Sequence, residues 1–309
     1  MVTVLTAGHV NWDVTLRVDR LPQPDGEASI RSQFQSGGGS AANVAVALAG
    51  LGVRPVLVGS VGDDDNGRLA RRELEDADVS LEGLTVVEDA PTAVKYLLVD
   101  DAGEVSILGN DGVNEAVRPA DVDPNWIRHA DHVHLTSQRP KTASYIASVA
   151  NEAGVPVSFD PGRRLGDRDY TETLVRADIV FATDHEAEAI LESEYAAVAD
   201  DRLVVVTAGA DGAVLHTPDG RTTHPGFDVE PVDSSGAGDA FAAGFIATSL
   251  NEGLDPNPNP NPNCENEGER AYHRALEFAN ACGALAASRK GPRSMSTTAD
   301  VRAFLERRS

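Results

Sequence analysis

Short apolar, β-rich runs recur at 2–7, 55–59, 132–135, 155–159, 179–182 and 203–207, with stretches of helical periodicity between most of them. This alternation constrains the fold more than any other feature. Strands that are apolar on both faces need cover on both, and an intervening helix supplies the crossover that a parallel pair requires. The expected class is therefore α/β: a mainly parallel central sheet between two helical layers, with helices at 41–49, 67–76, 143–152, 184–191, 238–250, 269–288 and 299–307. With 309 residues, 41% of them hydrophobic, the chain can bury one large core, so residues 1–309 are read as a single domain.

Two segments break the rhythm, 14–34 and 92–109. The second carries the turn Asp100-Asp101-Ala102-Gly103 between apolar stretches and reads as a β-hairpin. Together they are expected to form a small β lid over one edge of the sheet. The run 255–263 alternates proline and asparagine and reads as an exposed loop without a chemical role, since its prolines lack the donors that helix or sheet requires.

Charge narrows the partners. Forty-nine acidic residues face 26 basic ones, giving a net charge of -23, and the lysines number three: Lys95, Lys141 and Lys290. Such a chain repels nucleic acid and anionic membrane surfaces. Molar salt removes most of its self-repulsion, so a salt-rich cytoplasm is the expected setting. No apolar run approaches the ~20 residues of a membrane span, and the start Met1-Val2-Thr3-Val4-Leu5 lacks the basic residues of a secretion signal. Cys264 and Cys282 fit no zinc spacing and are read as reduced thiols. His132 and His134 alternate along one strand and are read as packing residues, not metal ligands.

The chemistry concentrates in two Gly-rich helix starts. In Gly236-Ala237-Gly238-Asp239 the small residues expose backbone amides at a helix N-terminus, where anions are favoured. Asp239 beside that site can accept the proton of an attacking hydroxyl. In Gly37-Gly38-Gly39-Ser40-Ala41-Ala42-Asn43 a tight loop enters a helix, while Asn11 and Asp13 follow the first strand. Amide and carboxylate groups of this kind bridge neighbouring hydroxyls of a polyol. No Gly-x-x-x-x-Gly-Lys-Ser/Thr occurs, and Gly8-His9-Val10-Asn11 follows the first strand where a dinucleotide fold would carry Gly-x-Gly-x-x-Gly.

Taken together, the motifs resemble the PfkB family of ribokinase-like kinases across essentially the whole chain. Gly38 to Asn43 is similar to its N-terminal signature and Asp233 to Asp239 to its C-terminal one. Val61-Gly62-Asp63-Asp64-Asp65-Asn66-Gly67, Thr207-Ala208-Gly209-Ala210-Asp211-Gly212 and the segment from Asn280 to Gly291 resemble further family motifs. The resemblance implies a three-layer ribokinase-like sandwich and ATP-dependent phosphorylation of a sugar hydroxyl. It makes Asp239 the base and Gly236, Ala237 and Gly238 the anion hole. Asn11, Asp13, Gly38, Gly39 and Asn43 would then bind the sugar, and Thr207, Gly209, Gly212 and Asn280 would bound the ATP pocket. It further implies a homodimer through the lid.

The family's Asn-x-x-Glu stands here as Thr183-Asp184-His185-Glu186, which leaves Glu186 to organise magnesium through water, with Thr183 beside it. Asp233 and Ser235 are the implied ligands of a monovalent cation such as potassium. Asp160-Pro161-Gly162-Arg163-Arg164 stands where fructokinase-like members have Asp-Pro-Asn-x-Arg, so Arg164 is a candidate for a polar or anionic substrate group. Thr136 stands where ribokinase places a glutamate against ribose, and 105–109 lacks the arginine of keto-deoxy acid kinases. The acceptor therefore stays open among a free sugar, a sugar phosphate held by Arg163 or Arg164, a nucleoside and a 2-keto-3-deoxy sugar acid. A non-catalytic sugar-binding protein of the same fold is the alternative from a different class.

Overall fold

The computed structural model describes residues 1–191, 202–250 and 267–308; the proline-asparagine run 255–263 and Cys264 lie outside the described residues. The first half contains β1 (Thr3–Ala7), β2 (Asn11–Val18), β3 (Ile30–Gly38), α1 (Ser40–Gly50), β4 (Arg54–Gly62), α2 (Asp65–Asp76), β5 (Leu84–Val87), β6 (Ala93–Val99), β7 (Val105–Asn110), α3 (Pro124–Arg128), β8 (His132–Thr136) and α4 (Pro140–Ala153). The second contains β9 (Val157–Asp160), α5 (Thr171–Leu174), β10 (Ile179–Thr183), α6 (Asp184–Leu191), β11 (Leu203–Thr207), β12 (Ala213–Thr217), β13 (Gly220–His224), α7 (Ala237–Leu250), α8 (Glu267–Ala287) and α9 (Thr298–Glu306).

The large sheet runs β13-β12-β11-β10-β9-β8-β1-β4-β5, parallel from β5 to β11 and antiparallel at the β12–β13 edge. Its strands send alternate residues to opposite faces, as the two-residue period of a pleated strand requires. Val4, Phe181 and Val205 enter the core beneath α1, α7 and α8, while Leu5, Val180 and Val204 enter the core that α4 covers. Because the central strands are parallel, their carboxyl ends share one edge, where ligands of open α/β sheets bind. The turn after β1, the ends of β8 and β9, and Thr183 and Thr207 all lie along it.

The lid is a separate sheet of order β3-β2-β6-β7. It is wider than the expected 14–34 and 92–109. Asn11 and Asp13 belong to β2, and Gly37 and Gly38 close β3 opposite Trp12 and Asn11, so polar residues expected in loops stand on paired strands. Strands β5, β12 and β13 were not anticipated: the last two form a hairpin, Ala213–Thr217 and Gly220–His224, whose one apolar run, Ala213-Val214-Leu215, is only three residues long. Strand β9 starts at Val157, later than the apolar run suggests, because Pro156 offers its carbonyl to Val133 N but has no N–H to return.

Candidate active site

Asp239 sits in the first turn of α7, half-buried, and its Oδ2 accepts a 2.8 Å hydrogen bond from Asn43 Nδ2 in the first turn of α1. Two residues 196 apart in sequence thus meet where two helix N-termini converge. Burial pushes the Asp239 carboxyl up to about 6, while donation from Asn43 and Ser40 and the positive charge of Arg293 hold it down. At neutral pH it is a carboxylate with more proton affinity than an ordinary aspartate, as suits a proton acceptor.

The turn ahead of Asp239 depends on glycine. Gly236 has φ +74, and a Cβ there would stand 2.5 Å from Pro292 O. This position fastens the α7 entry to the segment after α8. The Ala237 amide is turned onto Ser234 O at 3.2 Å, so its share in holding an anion requires that bond to open. The amides of Gly238 and Asp239 lie within the first helical turn, which has no intrahelical acceptors to offer them.

On the acceptor side, a side chain at Gly38 would overlap the Asp13 carboxylate, so the bare backbone of β3 lets Asp13 lie flat against it. Asp13 Oδ1 is buried and has no hydrogen-bond partner among the described residues. A buried carboxylate oxygen without a partner is one that a hydroxyl-bearing ligand would satisfy. Burial pushes this carboxyl up to about 6, with Arg293 and Lys95 opposing and Asp239 adding to the rise. Asn11 is buried, and its Oδ1 accepts from Asn114 Nδ2 at 2.6 Å. Gly39 closes the turn into α1 at φ +94.

Arg293, which no sequence motif marked, ties these groups together. Its guanidinium donates to Gly38 O at 2.8 Å and to Asn43 Oδ1 at 3.4 Å, and it pairs with Glu73 Oε2 at 3.4 Å. Only 6% of its side chain is exposed. Glu73, 37% exposed, also accepts from Gly37 N at 2.7 Å, so α2, β3, α1 and the segment after α8 are tied through one buried arginine. The only sequence hint was its place two residues beyond Gly291, where the recognised C-terminal segment ends.

Four of the six residues assigned to the nucleotide side share one cavity. Thr207, Gly209, Gly212 and Asn280 line a cavity of about 670 Å³ that reaches Ser234, Ala237 and Gly238. This is the size of a small-molecule site, and it ends at the amides beside Asp239. Thr183 and Glu186 lie outside that lining: Glu186 Oε2 accepts from Thr183 N at 2.9 Å at the start of α6. Asp160, at the end of β9, completes an acidic group. Its carboxyl is pushed up to about 7 by burial, with the Asp239 and Glu186 charges adding to the rise. Such a convergence of carboxylates is relieved by a cation, which fits magnesium held through water by Glu186 and Asp160; no three of the described His, Cys, Asp and Glu side chains are placed to grip a metal directly.

Asp233 is occupied within the chain: Oδ1 accepts from Ser235 N at 2.9 Å and Oδ2 from Gly291 N at 3.2 Å. Arg164 stands away from Asp239, bonded to Asp111 at 2.8 Å and to Glu115 at 3.5 Å. His132 and His134 both face Ser158 Oγ, at 2.7 and 2.8 Å, under the sheet; burial holds them neutral, at about 4 and about 3. Among the described residues no helix is long and apolar enough to cross a membrane.

Comparison with known proteins shows the family. A family model described as pfkB family carbohydrate kinase matches residues 1–299. An ATP-dependent ribose-1-phosphate kinase of Halopiger xanaduensis is 65% identical over 311 residues, covering 100% of this chain and 99% of that protein. A nucleoside kinase of Methanothermobacter thermautotrophicus is 30% identical over 256 residues, covering 80% of this chain and 82% of its own. Among solved structures, ribokinase of Arabidopsis thaliana complexed with ribose and ATP superposes with a TM-score of 0.82 at 25% identity, covering 99% of this chain and 98% of that one.

Proposed function

The chain belongs to the pfkB family of carbohydrate kinases, and from that premise we propose that it transfers the γ-phosphoryl group of ATP to a hydroxyl of ribose-1-phosphate, with Asp239 as the base. The observation that carries the reading is the Asn43–Asp239 contact of 2.8 Å, which brings the first turns of α1 and α7 together next to Gly238, where the large cavity ends. The choice of acceptor follows the Halopiger relative, which is 65% identical over its whole length.

Asn11, Asp13 and Asn43, with the bare backbone of Gly38 and Gly39, would hold the ring hydroxyls, leaving the primary hydroxyl toward Asp239. As that oxygen attacks the γ-phosphorus, its proton passes to Asp239, the bond to the bridging oxygen breaks, and ADP leaves. The product is a sugar bisphosphate. Charge on the transferring group falls on the amides of Gly236 to Asp239 at the start of α7, where the helix dipole favours it. Glu186 and Asp160 would hold magnesium through water, with Thr183 beside them; the bound ion supplies charge neutralisation for the phosphates. Asp233 and Ser235 would hold a monovalent cation next to the anion-hole turn.

Ile30, Phe34, Tyr96, Val105, Ile107 and Leu108 of the lid are each more than 40% exposed, which supports homodimerisation through that sheet. The charge of -23 supports operation in a salt-rich cytoplasm. The test is ADP release in high KCl with magnesium, with ribose-1-phosphate, ribose, fructose, a nucleoside and a keto-deoxy sugar acid as separate acceptors. Release should depend on ribose-1-phosphate and yield a product heavier by one phosphoryl group. Equal ADP release with and without every acceptor would sink the reading.

A further inference from the structure

Beside the acceptor residues lies a knot of cations that the phosphoryl transfer does not use. Glu115 Oε1 accepts from Arg168 Nη1 at 2.6 Å and Arg164 Nη1 at 3.5 Å and faces His9 Nε2 at 3.3 Å, while Arg139 Nε stands 3.7 Å from Oε2. Asp111 takes Lys95 Nζ at 3.0 Å and Arg164 Nη2 at 2.8 Å. Four permanent cations (Lys95, Arg139, Arg164, Arg168) thus share two carboxylates, a local balance of +2 in a chain whose total is -23. One of only three lysines is placed here.

The knot abuts the acceptor site at three points. Asn114, next to Glu115 in sequence, bonds Asn11 at 2.6 Å. Lys95 is the register partner of Asp13 across β2 and β6, and its charge reaches that carboxylate. Arg164 follows Asp160 by four residues in the loop leaving β9. The side chains of Lys95, Arg164 and Arg168 are 27, 29 and 22% exposed, so they are held in place yet still open to a ligand. By contrast Arg293 is buried and committed to Gly38, Asn43 and Glu73, so it cannot turn to a ligand phosphate without dismantling the site.

Resting on the phosphosugar reading above, we propose that Lys95, Arg164 and Arg168 form the seat for the phosphate the acceptor already carries. Asp111 and Glu115 hold the three cations apart while the seat is empty, and the dianion then competes for their N–H groups. Three cations, one from strand β6 and two from the loop after β9, suit a tetrahedral dianion better than a flat carboxylate, which one arginine fork satisfies. The seat also offsets the repulsion a phosphosugar would meet from Asp13, Asp160 and Asp239. With the phosphate anchored beyond Asn11, the far end of the sugar points to Asp239.

The experiment compares kcat/KM for ribose-1-phosphate and for ribose in the wild type, Lys95→Met, Arg168→Gln and the double variant, with the KM for ATP and the melting temperature as controls on folding. Each single change should lower the ratio of phosphosugar to sugar efficiency by about ten- to a hundredfold, the worth of one charge-assisted contact, mostly through KM. Equal losses on both acceptors, or an unchanged ratio, overturn the seat and leave the kinase reading standing. A wild type that phosphorylates ribose but not ribose-1-phosphate overturns the phosphosugar reading, and the seat with it.

Discussion

Replacing Asn43 with alanine removes the 2.8 Å donor to Asp239 Oδ2 while leaving the carboxylate itself in place. A hydrogen bond to a charged group contributes about 1.5–3 kcal/mol, and ~1.4 kcal/mol corresponds to one pH unit of proton affinity. The Asp239 carboxyl, held at about 6 with that donor present, should therefore move to roughly 7–8 without it. In the proposed role Asp239 acts as the carboxylate, so activity should be lost as pH falls through this value. At pH 7 the ionised fraction drops from about 90% to between about 50% and 10%, a roughly two- to tenfold loss from protonation alone. The assay is kcat between pH 5 and 9 at saturating substrates and fixed ionic strength. The quantity kcat is preferred because a phosphosugar's own second ionisation, near ~6, distorts kcat/KM. Raising the pH should recover this part of the loss. A variant whose acidic limb coincides with that of the wild type, with only a lower plateau, refutes the reasoning and makes Asn43 a sugar ligand alone.

Other perturbations give distinct readouts. Gly236→Ala forces a side chain into positive φ against Pro292 O and should cost about 1–3 kcal/mol of stability together with most of kcat, read by urea denaturation and turnover. Arg293→Met removes the donor to Gly38 O and Asn43 Oδ1 and should cost about 1–3 kcal/mol, seen as a lower urea midpoint, with loss of activity even where the chain is folded. His132 and His134 are held neutral in the fold, so the unfolded chain takes up protons first as pH falls from ~6.5. Each then removes up to about 1.4 kcal/mol per pH unit on the way to about 4 and about 3. Urea titrations of wild type and His134→Gln at pH 7 and 5 should accordingly show a smaller stability drop in the variant.

The central sheet was legible because its strands are apolar on both faces and therefore stand out as runs, whereas β13 lies at the edge with polar residues such as Thr222, Thr223 and His224, and β12 beside it has an apolar run of only three residues. Gly236 to Asp239 and Asn43 could be identified because helix starts that hold anions or polyols need small residues and a short polar side chain at fixed spacing. Arg293 and Glu73 could not: a buried arginine is defined by what surrounds it, and the elements it joins are up to 255 residues apart in sequence. The same holds for Glu115, whose neighbours His9 and the pair Arg164 and Arg168 come from two loops far apart in sequence. Arg164 was singled out by its place after Asp160-Pro161, but only the fold shows its company.

The central claim is that Asp239 accepts the proton of the attacking hydroxyl. Asp239→Asn keeps the shape and can still meet Asn43 through its amide, but holds no proton-accepting charge. Acceptor-dependent kcat should fall by about 10²–10⁴-fold across pH 5 to 9, with the acidic limb gone and the KM for ATP little changed. An Asp239→Asn enzyme with wild-type kcat, or with the limb near pH 6 intact, would contradict the account.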